Sequence, residues 1–358
     1  MDGLASCRCL QIIALVCLFM GFSLTVSPSL VSSASQPDTV QSHLDQGAVL
    51  LRQGELKAAE EAARQAIQSN PSSPEAHYLL GRILFKARKP NEAADAFTHA
   101  LKLKPAYADA LNDLAEVYMV QGKSAEAEQA LSRAIEVNPK HAESYLDLAK
   151  LYQQRKDVPA EKKTYQSLLA VLPNQPDALF ELATLYDKQG DTKAARETLG
   201  RLTKVNPKHA NAWYLSGRIA ERNNDLVEAA YAYKQAIAAK PDLVDAHYNL
   251  GFIYRSQGKP NEAEREFLEV LRYRPEYAEA HMNLGVVYTS VSKLDDAEHE
   301  YETAVSLKPD YAEAHYNLGV FYELHRKDMP RALAQYRRYR ELGGRDDRVE
   351  RIVGSTFR

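Results

Sequence analysis

Between residues 278 and 311 the apolar and polar positions fall into two blocks of helical period. His281, Leu284, Gly285 and Tyr288 recur at intervals of three and four, Ser292 and Lys293 interrupt, and Ala297, Tyr301 and Ala304 resume the spacing before Pro309. Residues three and four apart share one face of a helix, so the block predicts two helices joined by a short polar turn. The block returns along the chain, and its closing proline marks the period: Pro71, Pro105, Pro139, Pro173, Pro207, Pro241, Pro275 and Pro309 are each 34 residues apart. Counting from Val40 gives nine units, starting at residues 40, 74, 108, 142, 176, 210, 244, 278 and 312, the last with one inserted residue. A helix pair of this length cannot bury its apolar face alone. Stacked units can, which predicts an all-α solenoid whose function lies on a long surface. Small residues such as Gly285, Ala297 and Ala304 let backbones approach, aromatics fill the remaining space, and the proline ends the second helix.

The order of side chains within a unit resembles the tetratricopeptide repeat family. Unit seven carries it as His247, Leu250, Gly251, Tyr254, Ala263, Phe267 and Pro275. Unit six has Trp213 at the aromatic position and Ser216 where leucine is usual; unit one departs further, with Gln46 and Ala63, as a terminal cap does. The resemblance spans residues 40–345 in nine units. It implies a right-handed superhelix of helix-turn-helix pairs, with the first helix of each unit lining a concave groove for peptides or other extended ligands. It also implies a binding scaffold without chemistry of its own.

Residues 1–35 differ in composition. Arg8 is the only basic residue, an apolar run covers Cys9 to Val26, and Ser32, Ser33, Ala34 and Ser35 close the segment. This reads as a secretory signal peptide cleaved after Ala34 or Ser35. The alternative is an anchor formed by residues 9–26, because about 18 apolar residues reach the lower limit for a bilayer span. Either way the repeats are expected to be exported, to the periplasm or beyond, and a membrane contact is expected only through this segment, if it stays uncleaved. Cys7, Cys9 and Cys17 all lie within it, so the mature chain has no disulfide and no cysteine ligand.

With a net charge of -3 and a pI near 6.4, the chain lacks the basic excess that phosphate contacts demand, and no nucleic-acid partner is expected. No phosphate loop, nucleophile elbow or dinucleotide fingerprint is present. The chain therefore reads as neither enzyme nor cofactor carrier. His247, His281 and His315, with His43 and His77 at the same offset, invite a metal reading. Their helices are separated by at least about 8–10 Å, so one ion cannot collect them, and the histidines read as packing aromatics. Glu75, Asp109, Glu143, Asp177, Asp245, Glu279 and Glu313 fall in first turns, where they complement the helix dipole.

Opposite the core stripe of the first helix, the sequence places Asn249 and Phe252, then Asn283 and Val286, then Asn317 and Val320, at equal spacing. A lone helix would expose this stripe. The resemblance puts it on the concave face, where the asparagines look like a ladder holding a peptide backbone and the apolar residues form pockets. The same residues also suit packing between units. Tyr248 and Tyr316 lie beside the stripe and are the candidates for stacking a sugar. Earlier units differ on this face and are mostly charged, with Arg82, Glu116, Lys150, Thr184 and Arg218 in place of the apolar residues and Asp113, Asp147 and Glu181 in place of the asparagines.

Residues 326–358 hold ten Lys and Arg against five Asp and Glu. Arg337, Arg338, Arg340, Arg345 and Arg348 form a candidate patch for an anionic partner, with residues 346–358 as a short basic tail. The expected function is a scaffold outside the cytoplasm that binds protein or peptide partners and helps assemble an envelope complex. A carbohydrate-handling subunit of a polysaccharide export system, or an accessory subunit of an enzyme supplied in trans, stands as the alternative.

Overall fold

The computed structural model describes residues 39–355. The predicted leader, its cleavage point and the three cysteines lie outside them. Among the described residues every regular element is a helix, and each unit is a helical hairpin. In units two to eight the first helix has 13 residues and the second 14, as in Pro74–Lys86 with Pro90–Leu103, or Val244–Ser256 with Pro260–Tyr273. Each second helix stops two residues before its repeat proline, as Leu103 does before Pro105, because the residue preceding a proline is driven out of the α region.

The turn inside each hairpin is made by one left-handed residue: Gly54, Arg88, Gly122, Lys156, Gly190, Asn224, Gly258, Ser292 and Lys327. Glycine adopts that conformation freely, whereas a side chain costs about 1–2 kcal/mol there. The final step, from Ser292 to Lys327, is 35 residues and locates the insertion. It is absorbed by a π-helical turn, Tyr322–Arg326, at the end of the first helix of unit nine, Ala312–Phe321.

Within a hairpin the two helices approach at one matched pair. A Cβ added to Gly81 or Gly217 would come within 2.6 Å of the ring of Phe97 or Tyr233, and Gly251, Gly285 and Gly319 meet Phe267, Tyr301 and Tyr336 in the same way. Units three and five carry alanine instead, Ala115 and Ala183, and there the opposing residue shrinks to Leu131 and Leu199, which are buried. The pair conserves volume. Ala149 opposite Tyr165 departs from this matching.

All eight repeat-proline carbonyls accept a hydrogen bond from a side chain. Six donors sit six residues downstream in the next first helix: His77, Tyr145, Trp213, His247, His281 and His315, at 2.9 to 3.3 Å. Units three and five have Leu111 and Leu179 at that position. There an arginine of the second helix substitutes, Arg133 to Pro105 at 3.1 Å and Arg201 to Pro173 at 2.7 Å. These bonds satisfy a carbonyl in the turn between units and tie that turn to the next unit.

First helices of successive units pack on one another at six of the eight junctions, while no pair of successive second helices packs comparably. The array therefore bends toward its first helices, whose outer face becomes the concave one. At the carboxyl end, residues expected as a basic tail instead form a helix, Asp347–Ser355, whose Val349 and Val353 are buried against the last hairpin. It covers apolar surface that a further unit would have covered.

Candidate peptide-binding face

Position nine of each unit, on its first helix, points along the concave face. In unit seven it is Phe252, a residue 40% exposed, with the guanidinium of Arg255 4.7 Å from its ring centroid. Val286 and Val320 follow, both half-buried against the carboxyl-terminal core. The predicted apolar stripe is thus present in register, and Phe252 is its most open member.

The asparagines beside it do not form a row of free amides. Asn283 is only 1% exposed, which corrects the expectation of a wet face there. Its Nδ2 donates to the Tyr248 hydroxyl at 3.1 Å and to the Glu279 carbonyl, while its Oδ1 accepts from Arg255. Asn317 Nδ2 reaches the Glu313 carbonyl at 3.0 Å and the Met282 sulfur in the preceding unit at 3.4 Å. Asn249 Nδ2 donates to the Tyr233 hydroxyl at 3.2 Å. Asn283 and Asn317 bond across unit junctions, and that bonding holds neighbouring first helices together.

Tyr248 and Tyr316 are half-buried as well. Tyr248 packs against Phe267 and Tyr277, with centroids 6.0 and 5.4 Å away, and Tyr316 against Tyr336 and Tyr339 at 6.4 and 5.2 Å. Burial, with Tyr277 next, raises the Tyr248 phenol above its ordinary range, so it stays neutral. Rings already engaged with other rings are poor platforms for a sugar.

His247 is buried, and both its nitrogens face acceptors: the Pro241 carbonyl at 3.0 Å and a Glu266 carboxylate oxygen at 2.6 Å. His281 repeats this with Pro275 and Glu300. Burial opposes the charged ring, but the carboxylate and the carbonyl outweigh it, and both histidines titrate above their ordinary value. In unit nine His315 meets the neutral Gln335 at 2.7 Å instead.

The arginines of the carboxyl end largely face their own chain. Arg348 pairs with Glu323 at 2.7 Å and donates to the Tyr336 hydroxyl, Arg340 pairs with Glu350 at 2.8 Å, and Arg338 with Glu341 at 3.1 Å. Arg337 is exposed, and Arg345 lies on the loop before the last helix, its carbonyl accepting from Tyr339. The five do not converge as an open cationic patch, because carboxylates such as Glu323 and Glu350 are interleaved with them. Sequence reasoning missed the proline-carbonyl bonds. Their signal was visible: every residue four of units two to nine carries a polar hydrogen except Leu111 and Leu179, whose units supply Arg133 and Arg201.

Fold and face together define a helical-repeat solenoid with a continuous surface for recognising other molecules. The chain belongs to the tetratricopeptide repeat family. The tetratricopeptide domain of cytochrome c-type biogenesis protein H matches residues 32–179, and two general tetratricopeptide models match residues 180–244, 290–347 and 220–285. Among solved structures, the C-terminal part of a tetratricopeptide protein from Cytophaga hutchinsonii shares 14% identity over 67% of this chain and 99% of its own, with a TM-score of 0.57. PilF of Pseudomonas aeruginosa shares 24% identity over 57% and 93%, with a TM-score of 0.49. YrrB, described as having an unusual peptide-binding site, shares 17% over 54% and 96%, with a TM-score of 0.47. No curated protein matches the chain.

Proposed function

We propose that this chain is a non-enzymatic scaffold outside the cytoplasm that holds extended segments of partner proteins along its first helices and helps assemble an envelope complex. The observation that carries the reading is the concave face: one in-register line of position-nine side chains, free to vary while the core beneath is constrained in volume. Such a line suits an extended chain, which presents side chains at a regular rise. The leader-like segment at residues 1–35 supports the location. The match of residues 32–179 to a domain named for cytochrome biogenesis supports a role in assembly.

The test is quantitative co-purification from envelope extracts with the intact chain and a Phe252→Glu, Val286→Glu, Val320→Glu variant whose helix content and melting match the parent. Partners captured by the first and lost by the second are expected. Equal capture by both would overturn the use of this stripe, and recovery of the chain only in the cytoplasm with residues 1–35 intact would overturn the location.

A further inference from the structure

A hollow on the concave face lies at the end opposite the apolar stripe. A cavity of about 540 Å³ opens between the first helices of units one, two and three, within the size range of ligand pockets. It exists because position nine of unit one is Ala48, too short to fill the space that Arg82 and Glu116 occupy in the next two units. Its floor is apolar: Leu51 and Leu79 are each 7% exposed, Phe97 is fully buried, and the half-buried Phe85 forms a wall.

The rim is charged, with the two signs at opposite ends. Arg52 of unit one and Lys86 of unit two are exposed on one side, Glu116 of unit three on the other. The Arg52 and Glu116 side chains make no hydrogen bond or ion pair among the described residues, and Lys86 reaches only the Leu51 carbonyl, at 2.9 Å. Arg82 stands between the ends, 3.7 Å from Asp113 and largely exposed, a contact too open to neutralise either. Around Glu116 the carboxylates accumulate: burial first, then Asp147 and Asp113, raises its pKa against the opposing charge of Lys150, and burial raises that of Asp113 although Tyr78 and Arg82 oppose it. A cation arriving there relieves that repulsion.

We infer that this cavity selects the partner segment by charge order: an acidic side chain over Arg52 and Lys86, an apolar one on the Leu51, Leu79 and Phe97 floor, and a basic one against Glu116 and Asp113. The inference rests on the reading that the concave face binds extended protein segments and adds what such a segment must carry. Packed helices lie about 8–10 Å apart, so units one and three are separated by about 16–20 Å along the face. An extended chain covers that in about five or six residues at its rise of about 3.3–3.6 Å, which puts the apolar side chain midway between the charges.

A random dodecapeptide library displayed on phage and panned on the full chain tests this. Enrichment of an acid, an apolar residue and a base in that order, in either chain direction, at the stated spacing is the expected result. A fluorescein-labelled peptide of the enriched sequence should then lose about tenfold or more in affinity for a Glu116→Lys variant, and exchanging its base for an acid should restore binding. Arg52→Glu should do the same at the other end, with Lys86→Gln as the milder variant should Arg52→Glu fail to fold. Enriched peptides that bind all variants equally would overturn this cavity as the selecting site and leave peptide binding elsewhere on the face intact. If the library yields no binder at all, both this inference and the peptide-binding reading fail.

Discussion

The two ends of the concave face rest on the same hairpin and differ chiefly in what position nine carries. From unit two to unit six it is Arg82, Glu116, Lys150, Thr184 and Arg218; from unit seven onward it is Phe252, Val286 and Val320. At the apolar end the neighbouring polar groups are spent on one another, with Asn283 tied to Tyr248 and Arg255. At the charged end Asn112 donates to Asp147 and Arg82 lies beside Asp113, but Arg52 and Glu116 make no hydrogen bond or ion pair among the described residues. Beneath both ends the core is held to a matched volume, Gly251 with Phe267 at one and Ala115 with Leu131 at the other. The difference teaches that folding constrains the hairpin interior, while the face is free to be written for a ligand.

Truncating the apolar end's core should give the largest effect. Phe267 is fully buried, and Phe267→Ala should cost about 3–5 kcal/mol, read as a lowered midpoint in urea by circular dichroism. Next, Gly217→Ala forces a Cβ to within 2.6 Å of the Tyr233 ring and should cost about 1–3 kcal/mol. A combined Gly217→Ala, Tyr233→Leu variant should recover part of that loss, since it copies the pairing of units three and five. Failure to recover would break the volume-matching account.

The histidine bonds sharpen the comparison through pH. His247 and His281 have folded pKa values raised above the unfolded one, so their contribution is complete below about pH 6.5 and is lost as pH rises through the folded values. Melting temperature should fall over that interval. A Glu266→Gln, Glu300→Gln variant, which copies the Gln335 of unit nine, should show a flatter profile; an unchanged one would contradict the charged-ring assignment. Smaller still, Lys156→Gly should stabilise the chain by up to about 1 kcal/mol, because Lys156 holds a φ of 58° that glycine adopts without strain. The smallest effect belongs to Phe252→Glu, at a residue 40% exposed; its unfolding free energy should stay within about 0.5 kcal/mol of the parent.

The hairpins and their number were legible in the sequence, because a 34-residue period repeats the same apolar spacing until chance is excluded; the concave placement of position nine came from the family resemblance. The inserted residue of unit nine was legible too, though not its accommodation as a π-helical turn. Side-chain bonding across units was not. The tie of Asn283 to Tyr248 joins residues 35 apart whose proximity only the stacking defines, so an equally spaced row of amides looked free when Asn283 was buried. The cavity was hidden for a related reason: it depends on the shortness of Ala48 beside residues of two later units. The last helix escaped because its charge outweighs Val349 and Val353 in composition, while those two valines decide where it docks.

The measurement that bears most directly on the concave face as the binding surface is a photo-crosslinking scan in envelope extracts. Benzoylphenylalanine would replace, one at a time, the position-nine residues from Arg82 to Val320, with Val227 and Leu268 as exposed sites on second helices. The account predicts partner adducts at position-nine sites and none at Val227 or Leu268. Adducts confined to the second helices would contradict it.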